Sequence, residues 1–304
     1  MNRPIPEVMS VHGDLEVAEV AVLRFGSDRL AEVVDGLAPP LARRDKWVIN
    51  VSTQFGCPVG CPFCDAAGPW RGNATAGEML AQVAWALDRH PGVAPGCRRL
   101  KVHFARMGEP SLNDDVPAAI EALPGLAASP GLWACVATVA PRGRERWFEA
   151  LRDAKERRFQ GRFQLQFSVQ STDPAARARL VPVPHWPLEA IAGFGRAFHR
   201  DGDRKVVLNF ALARGVPFDP GVVERAFEPA SFAVKLTPVN PTARGRERGF
   251  ATRLRAGPDP ALDADVERLR GAGFDVVVSV GDGREDGVLS NCGQAVLALA
   301  SVPG

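Results

Sequence analysis

The sequence predicts an α/β fold, a partial (β/α)6 barrel of the TIM type preceded by a short β-rich extension. Strand-like runs alternate with amphipathic helical segments between residues 46 and 280. Strands that are separated by single helices run parallel, and about six or seven such units can close around an interior. The length of 304 residues and the hydrophobic content of 46% are sufficient for one barrel-sized core.

Residues 1–45 are predicted to form the extension, and residues 46–304 the barrel domain. The first twelve residues are predicted to be a loose terminus. Two β-rich runs, at residues 17–25 and 46–52, flank a polar segment that contains Pro39, Pro40, Arg43 and Arg44. The second run leads into the first strand of the barrel.

Helices and strands then alternate along the barrel domain. The first helix is indicated by the spacing of Met79, Leu80, Val83 and Leu87 and is ended by Pro91. The predicted helices cover residues 76–90, 115–123, 143–158, 187–200, 219–228 and 260–271. The predicted strands cover residues 100–105, 133–139, 163–169, 205–212, 232–237 and 275–280. The chemistry of such a barrel is expected at the C-terminal ends of its strands.

Composition narrows the functional classes. The net charge of +2 and the pI of about 8.3 argue against an extensive basic face for nucleic acid. The chain has no apolar run of about 18 residues, and its first residues lack the apolar segment of a signal peptide. A cytoplasmic protein without membrane contact is therefore expected, and clustered cysteines in such a protein are typical of metal binding.

Three cysteines, Cys57, Cys61 and Cys64, form a C-x3-C-x2-C run with proline and glycine between them. This composition predicts a tight loop, and three thiolates held so close favour a soft metal centre. A [4Fe-4S] cluster with three protein thiolates leaves one iron open for a small ligand.

Two other interpretations of the cysteine run stay open. Structural zinc needs a fourth protein ligand, and the sequence has no second C-x2-C pair. The candidates for that ligand are His103, His185 and Cys97. Alternatively, the thiols are redox-active or bind no metal.

Further segments follow the cysteine run in a definite order: M-G-E-P at 107–110, S-V-Q-S at 168–171, P-V-N-P at 238–241 and N-C-G-Q at 291–294. Together with V-S-T-Q-F-G-C-P-V-G-C-P-F-C, they resemble the radical S-adenosylmethionine (SAM) superfamily. Within it, the order is similar to that of the methyltransferases that modify ribosomal RNA adenine at C2 or C8. The match extends from about residue 15 to residue 294.

The resemblance implies a barrel of the radical SAM type and two cofactors, a [4Fe-4S] cluster and SAM. In that superfamily the open iron binds the amino and carboxylate groups of SAM. An electron then cleaves SAM to methionine and a 5′-deoxyadenosyl radical. An electron donor such as flavodoxin or ferredoxin is therefore an expected partner.

The resemblance also implies a set of SAM contacts. Glu109, in one segment with Met107 and Gly108, would receive the SAM ammonium through a pairing of cation and carboxylate. Ser168 would contact the ribose. In the loop 235–241, Lys235 stands where the family has asparagine. The remaining SAM-binding positions are Ala137, Thr138 and Asn240.

Cys292 stands at the position of the cysteine that the family methylates. There the methyl group loses a hydrogen atom to the deoxyadenosyl radical and adds to the substrate carbon. A second cysteine, seven residues before the first cluster cysteine, then releases the product by forming a disulfide. In this chain that position is Asn50, whose amide cannot form a disulfide. The family chemistry is therefore predicted to be altered.

Two further departures support that prediction. Only about 45 residues precede the cluster strand, and no N-terminal domain for RNA contact is visible among them. The family's G-M-G-E-P becomes R-M-G-E-P, which places Arg106 beside the SAM or substrate pocket. A guanidinium there is a good binder of carboxylate or phosphate. Cys292 and Arg106 are therefore the predicted catalytic residues.

The sequence accordingly predicts a non-methylating radical SAM enzyme of specialised metabolism, for example of antibiotic biosynthesis. Its expected substrate is a small molecule such as a nucleoside, a sugar or an amino-acid derivative, rather than a nucleic acid. In a decarboxylation or an epimerisation, Cys292 would donate a hydrogen atom and Arg106 would bind a substrate carboxylate.

Two alternative functions stay open. In the first, methyl transfer to a small molecule or to RNA is retained, Cys292 is methylated, and Cys135 or Cys97 replaces the missing thiol. Cys135 shares the expected interior face of its strand with Ala137. In the second, a protein that holds zinc or a cluster binds a partner without catalysis. Candidates for the substrate mouth are Trp70, Arg71, Trp133, Trp186 and Arg284.

Overall fold

The computed structural model describes residues 3–254, 259–280, 289 and 291–300. Its described strands form one ten-stranded sheet, in which each strand pairs with the strands before and after it in the chain. The helices cover the outer face of the parallel part of this sheet. The predicted fold class, a partial (β/α)6 barrel with a β-rich N-terminal extension, is confirmed.

Three antiparallel strands form the N-terminal extension: β1 (Glu7–Asp14), β2 (Ala18–Arg24) and β3 (Leu30–Gly36). The prediction of a loose terminus is wrong from Glu7 onwards, because β1 pairs along β2. The polar segment predicted between the two β-rich runs contains β3. Glu32 and Asp35 of this strand are buried. The strand was not predicted because these two acidic residues make its sequence look polar.

Parallel strands form the wall of the barrel. They are β4 (Trp47–Val51), β5 (Leu100–Phe104), β6 (Leu132–Thr138), β7 (Phe163–Ser168), β8 (Val206–Leu212), β9 (Phe232–Pro238) and β10 (Asp275–Val278). β4 also pairs antiparallel with β3, so the extension and the barrel share one sheet. In the register of this wall, Asn50 lies opposite His103, and His103 lies opposite Cys135.

All the predicted helices are present, within a few residues of their predicted bounds. The helices of the described part are α1 (Ala76–Arg89), α2 (Val116–Leu126), α3 (Glu145–Arg158), α4 (Pro174–Leu180), α5 (Leu188–Phe198), α6 (Pro220–Ala226), α7 (Ala243–Glu247), α8 (Pro260–Gly271) and α9 (Gln294–Ala300). The sequence did not predict the short helices α4, α7 and α9. None of the helices within the described ranges is long and apolar enough to cross a membrane.

The two faces of the barrel strands differ in polarity. One set of alternate residues, such as Val102, Val136 and Leu208, is buried in the main core against the helices. The other set faces the interior of the barrel. Its polar members include Lys101, His103, Gln164, Gln166, Asn209 and Lys235. A polar interior differs from the packed apolar interior of many TIM barrels and is suited to a polar ligand.

The C-terminal helix α9 returns to the N-terminal extension. Ala295 of this helix packs with Val20, Val22 and Val34 in a second apolar cluster. Because β3 is hydrogen-bonded to β4, this packing brings the segment before α9 to the carboxyl ends of the barrel strands.

Candidate active site at the carboxyl ends of the strands

The three clustered cysteines lie on the loop that follows β4, which is called the cluster loop below (residues 52–75). The loop turns tightly at Gly56, which has a φ of +84°. A Cβ at this position would lie 2.3 Å from the carbonyl oxygen of Pro69, so only glycine fits. The three cysteines are free and half-buried.

Burial controls the electrostatics of these thiols. It raises the pKa of Cys57 and Cys61 to about 12 and raises the pKa of Cys64 well above its ordinary value. Neighbouring thiols raise these pKa values further: Cys57 acts on Cys61, and Cys292 acts on both Cys57 and Cys64. The four sulfur atoms therefore lie near one another, and ionised thiolates here require a bound cation.

This donor set fits an iron–sulfur cluster better than zinc. A single zinc ion binds each thiolate at about 2.3 Å, which brings the sulfurs within about 4 Å of one another. In the described part of the chain, the one group of three ligand atoms within 4.8 Å of one another belongs to Glu19, Asp35 and His90. The cysteine sulfurs are therefore more widely spaced. In a cluster each thiolate binds a different iron, so the three cysteines of the cluster loop would hold such a group.

Glu19, Asp35 and His90 form an ion-pair network in the extension. Arg89 binds both carboxylate oxygens of Glu19, and His90 donates to or accepts from Asp35 at 2.7 Å. Arg43 also pairs with Asp35. The carboxylates therefore already have cationic partners.

The segment Met107–Glu109 lies directly beside the start of the cluster loop. The Met107 carbonyl accepts hydrogen bonds from the backbone N–H groups of Thr53 (2.8 Å) and Gln54 (3.2 Å). The Glu109 N–H donates to the Gln54 side-chain oxygen at 2.8 Å. Gly108 has a φ of +103°, and a Cβ there would lie 2.7 Å from the Gln54 side chain. The structure thus brings three predicted SAM-binding residues against the loop that carries the cysteines.

The Glu109 carboxylate is held by the rim of the barrel. It is 4% exposed and accepts from the Ser111 N–H (3.0 Å), the Ser111 hydroxyl (2.7 Å) and the Val139 N–H (2.9 Å). The Thr138 hydroxyl also donates to it. Burial raises the pKa of Glu109, and these hydrogen bonds oppose the rise. The carboxylate is fixed in place, and its pairing with the SAM ammonium stays a prediction.

The other predicted SAM-binding residues lie at the same end of the barrel. Thr138 ends β6 and contacts Glu109, while Ala137 precedes it on the interior face. Ser168 ends β7, opposite Asn209 in the register. Asn240 is exposed in the loop after β9. Their contacts with SAM stay predictions.

The loop after β9 is fastened to the cluster loop. The Thr242 hydroxyl donates to the Phe63 carbonyl at 2.7 Å. The Asp65 carboxylate accepts from the N–H groups of Ala243 and Arg244, each at 2.9 Å, and so caps the start of α7. Asp65 was missed by the sequence reasoning, although an acidic residue directly after the last cysteine is a local signal.

Cys292 lies at the carboxyl end of β5, against the cluster loop. Its sulfur is 3.6 Å from the carbonyl oxygen of Ala105. Gly293 has a φ of +89°, and a Cβ there would lie 2.2 Å from the Ala66 nitrogen and 2.3 Å from the Asp65 carbonyl carbon. The backbone at Gly293 is in contact with the backbone at Asp65 and Ala66, so glycine is required at residue 293. This contact holds Cys292 against the residues that follow Cys64.

Arg106, a predicted catalytic residue, pairs with a buried acidic residue of the extension. Its Nη2 lies 2.8 Å from Oε2 of Glu32, with both side chains buried, and it donates to the Leu289 carbonyl at 3.1 Å. Glu32 also accepts from the N–H groups of Gly293 (2.8 Å) and Val296 (3.0 Å). The structure therefore turns Arg106 towards a carboxylate of the extension.

Arg106 also affects the pKa of Cys292, the candidate for the methylated cysteine. Burial raises the pKa of the Cys292 thiol, and the Arg106 guanidinium opposes that rise. Glu32 was missed by the sequence reasoning. The available signal was the presence of two acidic residues, Glu32 and Asp35, among the apolar residues of one strand, since a buried acid needs a cation as its partner.

The remaining cysteines have different positions in the barrel. Cys135 lies on the interior face of β6, and burial raises its pKa to about 11. Asn50 lies on β4, two strands away at the same level. Cys97 precedes β5 and donates to the Arg43 carbonyl at 3.3 Å, at the end of the strand remote from Cys292.

The candidates for the substrate mouth are scattered. Trp186 is buried among phenylalanine rings, and Trp133 lies near Lys101 and Arg204 at the other end of the barrel. Trp70 is exposed on the cluster loop. Arg71, next to it, pairs with Asp28, and Arg284 lies outside the described residues.

Similarity to known proteins agrees with this geometry. No model of a protein family matches the chain. A probable dual-specificity RNA methyltransferase RlmN from Frankia casuarinae is 32% identical over 277 residues, which cover 85% of this chain and 61% of that protein. The corresponding protein from Mycolicibacterium smegmatis is 30% identical over 267 residues, covering 81% of this chain and 67% of that protein. The chain thus spans about three fifths to two thirds of the length of these relatives.

The solved structures include a radical SAM methyltransferase from Sphaerobacter thermophilus, with a TM-score of 0.71 and 21% identity. The match covers 95% of this chain and 80% of that one. The chain belongs to the radical SAM superfamily, which confirms the predicted enzyme class and the predicted cofactors, a [4Fe-4S] cluster and SAM. Within that superfamily it belongs to the RlmN-like branch of methyltransferases.

These relatives correct two predictions. The prediction of non-methylating chemistry on a small molecule is wrong, because the relatives are named as methyltransferases. The prediction that nucleic acid is not a partner is wrong for the same reason, since the named substrate of the relatives is RNA. The predicted setting in antibiotic biosynthesis has no support from these relatives.

Proposed function

We propose that the chain is a radical SAM methyltransferase that acts on RNA, with Cys292 as the residue that carries the methyl group. The observation that carries the proposal is the contact of Gly293 with Asp65 and Ala66, which holds Cys292 beside the cluster loop. The RNA methyltransferases among its relatives support RNA as the substrate class. We also propose that the protein is cytoplasmic and that the boundary between the extension and the barrel domain lies between residues 45 and 46.

The residues of the cluster loop and the barrel rim have separate roles in this proposal. Cys57, Cys61 and Cys64 hold the cluster, and Glu109 is the carboxylate that receives the SAM ammonium. The bound cofactors supply the methyl group and the radical that activates it. Arg106 is a positioning residue, since it acts through Glu32, which binds the N–H groups at the start of α9.

Release of the product requires a second thiol or another route. Asn50 cannot supply a thiol, and Cys97 lies beyond the opposite end of β5 from Cys292. Cys135 faces the barrel interior beside His103, two residues before Ala105 on the neighbouring strand. We therefore assign the release step to Cys135. Once deprotonated, its sulfur would attack the sulfur of the protein–RNA thioether and form a disulfide with Cys292. The C–S bond of the thioether breaks, its electron pair leaves with the RNA-bound carbon, and that carbon takes up a proton to become the methyl group.

The experiment is an anaerobic reaction of the reconstituted protein with SAM, a reductant and RNA. Adenosylhomocysteine and methylated RNA are the expected products, and mass spectrometry should find one extra methyl group on Cys292. The Cys292→Ala variant keeps the three cluster cysteines and should lose RNA methylation. Formation of deoxyadenosine without adenosylhomocysteine, or full methylation by the variant, would contradict the proposal.

A further inference from the structure

A cleft of about 790 Å³ lies outside the barrel, between α4, the loop 181–187 and the start of α5. Its walls are mainly apolar, from proline, valine and leucine side chains. Three nitrogen-bearing side chains, Arg142, Arg177 and His185, also line it. The arginines lower the pKa of His185, after burial itself, so the three side chains lie close together. One carboxylate, the exposed Glu189, lies among the lining residues.

Arg177 is a buried guanidinium without an acidic partner in the described part of the chain. Arg177 is 4% exposed, and its Nη1 donates to the Trp186 carbonyl at 2.5 Å. Its Nε is buried and has no hydrogen-bond partner among the described residues. Burial lowers the pKa of Arg177 to about 10. A buried cation is costly unless an anion pairs with it, so this arrangement calls for an anionic ligand.

The cleft is one loop away from the clustered cysteines. Val181, on the loop between cleft and cysteines, packs with Val59 of the cluster loop in an apolar cluster that Cys57 and Cys61 border. A Cβ at Gly60 would lie 3.9 Å from the ring of Pro182, another lining residue. A ligand in the cleft would therefore contact the loop 181–187, which packs against the cluster loop on its other side.

We infer that this cleft binds a backbone phosphate of the RNA substrate and so anchors RNA beside the active site. The inference rests on the proposed function. A guanidinium binds phosphate through charge-assisted hydrogen bonds, and Arg177 is held at the cleft by its hydrogen bond to the Trp186 carbonyl. Arg142, whose Nε donates to the His185 carbonyl at 3.0 Å, adds a second positive charge at the rim. The apolar walls suit the ribose and base next to that phosphate.

The test is the salt dependence of RNA binding, measured with a fluorescent single-stranded RNA by anisotropy. Each phosphate contact contributes about 0.7 to the slope of log affinity against log salt concentration. Arg177→Gln and Arg142→Gln should each weaken binding and reduce that slope, and their two reductions together should come to about this amount. The control is Arg98→Gln, because Arg98 is 83% exposed and lies before β5, at the other end of the barrel.

Arg142→Gln keeps the test valid if Arg177→Gln fails to fold, since Arg142 is exposed. If wild type binds RNA and both variants match Arg98→Gln in slope, the cleft does not bind RNA phosphate, and the proposed function stands. If wild type does not bind RNA, the proposed function and the role of the cleft both fail. Inorganic phosphate at matched ionic strength should compete with RNA for binding to the wild-type protein, and this competition should be lost in Arg142→Gln. Equal competition in both proteins would also overturn the inference.

Discussion

The Arg106 guanidinium and the Glu32 carboxylate lie 2.8 Å apart, and their side chains are 3% and 0% exposed. Glu32 belongs to the extension and Arg106 follows β5, so the pair joins the extension to the rim of the barrel. The same carboxylate binds the N–H groups of Gly293 and Val296. One buried acid therefore fixes the helix that positions Cys292.

Replacing Glu32 with glutamine should destabilise the protein strongly. The variant removes the negative charge that pairs with Arg106 at a buried site, and breaking a buried pair in this way costs about 3–5 kcal/mol. The change in the free energy of unfolding can be measured by urea denaturation. The matched control is Glu7→Gln in the same extension, because Glu7 pairs with Arg24 at an exposed site and its loss should change stability little. Equal effects of the two variants would contradict the assigned role of Glu32.

Gly293→Ala should uncouple Cys292 from the cluster loop. The added Cβ would lie 2.2 Å from the Ala66 nitrogen, so the segment must move away. Methylation of Cys292 and of RNA should be lost, while the iron content stays unchanged because the three loop cysteines are intact. Mass spectrometry and iron analysis of one preparation provide both measurements.

The control for that experiment is Gly202→Ala. Gly202 has a φ of +84°, close to that of Gly293, but nothing lies within 4 Å of its added Cβ. This variant carries the backbone strain alone, about 1–2 kcal/mol, and should methylate normally. Normal methylation by Gly293→Ala would show that the contact with the cluster loop does not position Cys292.

The sequence predicted the barrel well because each barrel strand is marked locally. In β5, for instance, Val102 and Phe104 face the helices while Lys101 and His103 face the interior, and such alternation appears in the sequence itself. The extension was predicted less well. Its β3 carries Glu32, whose partners lie at residues 106 and 293, far along the chain.

The same distinction holds for the candidate site. Cys57, Met107 and Cys292 lie in short motifs that can be read without a structure, and the structure brings them to one end of the barrel. The partner of Arg106 cannot be read in this way. In the sequence, Arg106 replaces a glycine of the family motif and has no acidic residue in an obvious pairing position, so it was interpreted as a ligand-binding residue. The acid that pairs with it, Glu32, is 74 residues away on another strand.

Cys135→Ala should trap the protein on its RNA if Cys135 performs the release step. Without a thiol to attack the thioether sulfur, Cys292 stays bonded to the RNA, and the adduct should accumulate. A shift of the protein band on a denaturing gel, removed by ribonuclease, measures it. Cys97→Ala is the matched control, because Cys97 is also a buried cysteine and lies at the opposite end of β5. Unchanged turnover by Cys135→Ala would mean that release proceeds without a second thiol.

The buried His103 should make the protein sensitive to mild acid. Burial, with Lys101 and Lys235 nearby, lowers its pKa from 6.5 to about 3. The unfolded chain therefore takes up a proton as the pH falls below 6.5, whereas the folded protein stays neutral at this residue until about pH 3. The unfolded state binds more protons in that window, so stability falls with falling pH, by about 1 kcal/mol per pH unit from this group.

Urea denaturation of wild type and His103→Gln between pH 6.5 and pH 4.5 isolates this effect. Asp203 does not interfere, because its pKa is lowered below 3.8 and its contribution is lost only in stronger acid. The variant should show a clearly smaller pH dependence than wild type. His185→Gln is the control: the pKa of His185 is also lowered, but this histidine is less buried, so its removal should change the slope less. Equal slopes for wild type and His103→Gln would mean that His103 titrates near its ordinary pKa, and hence that water or a ligand solvates the polar interior.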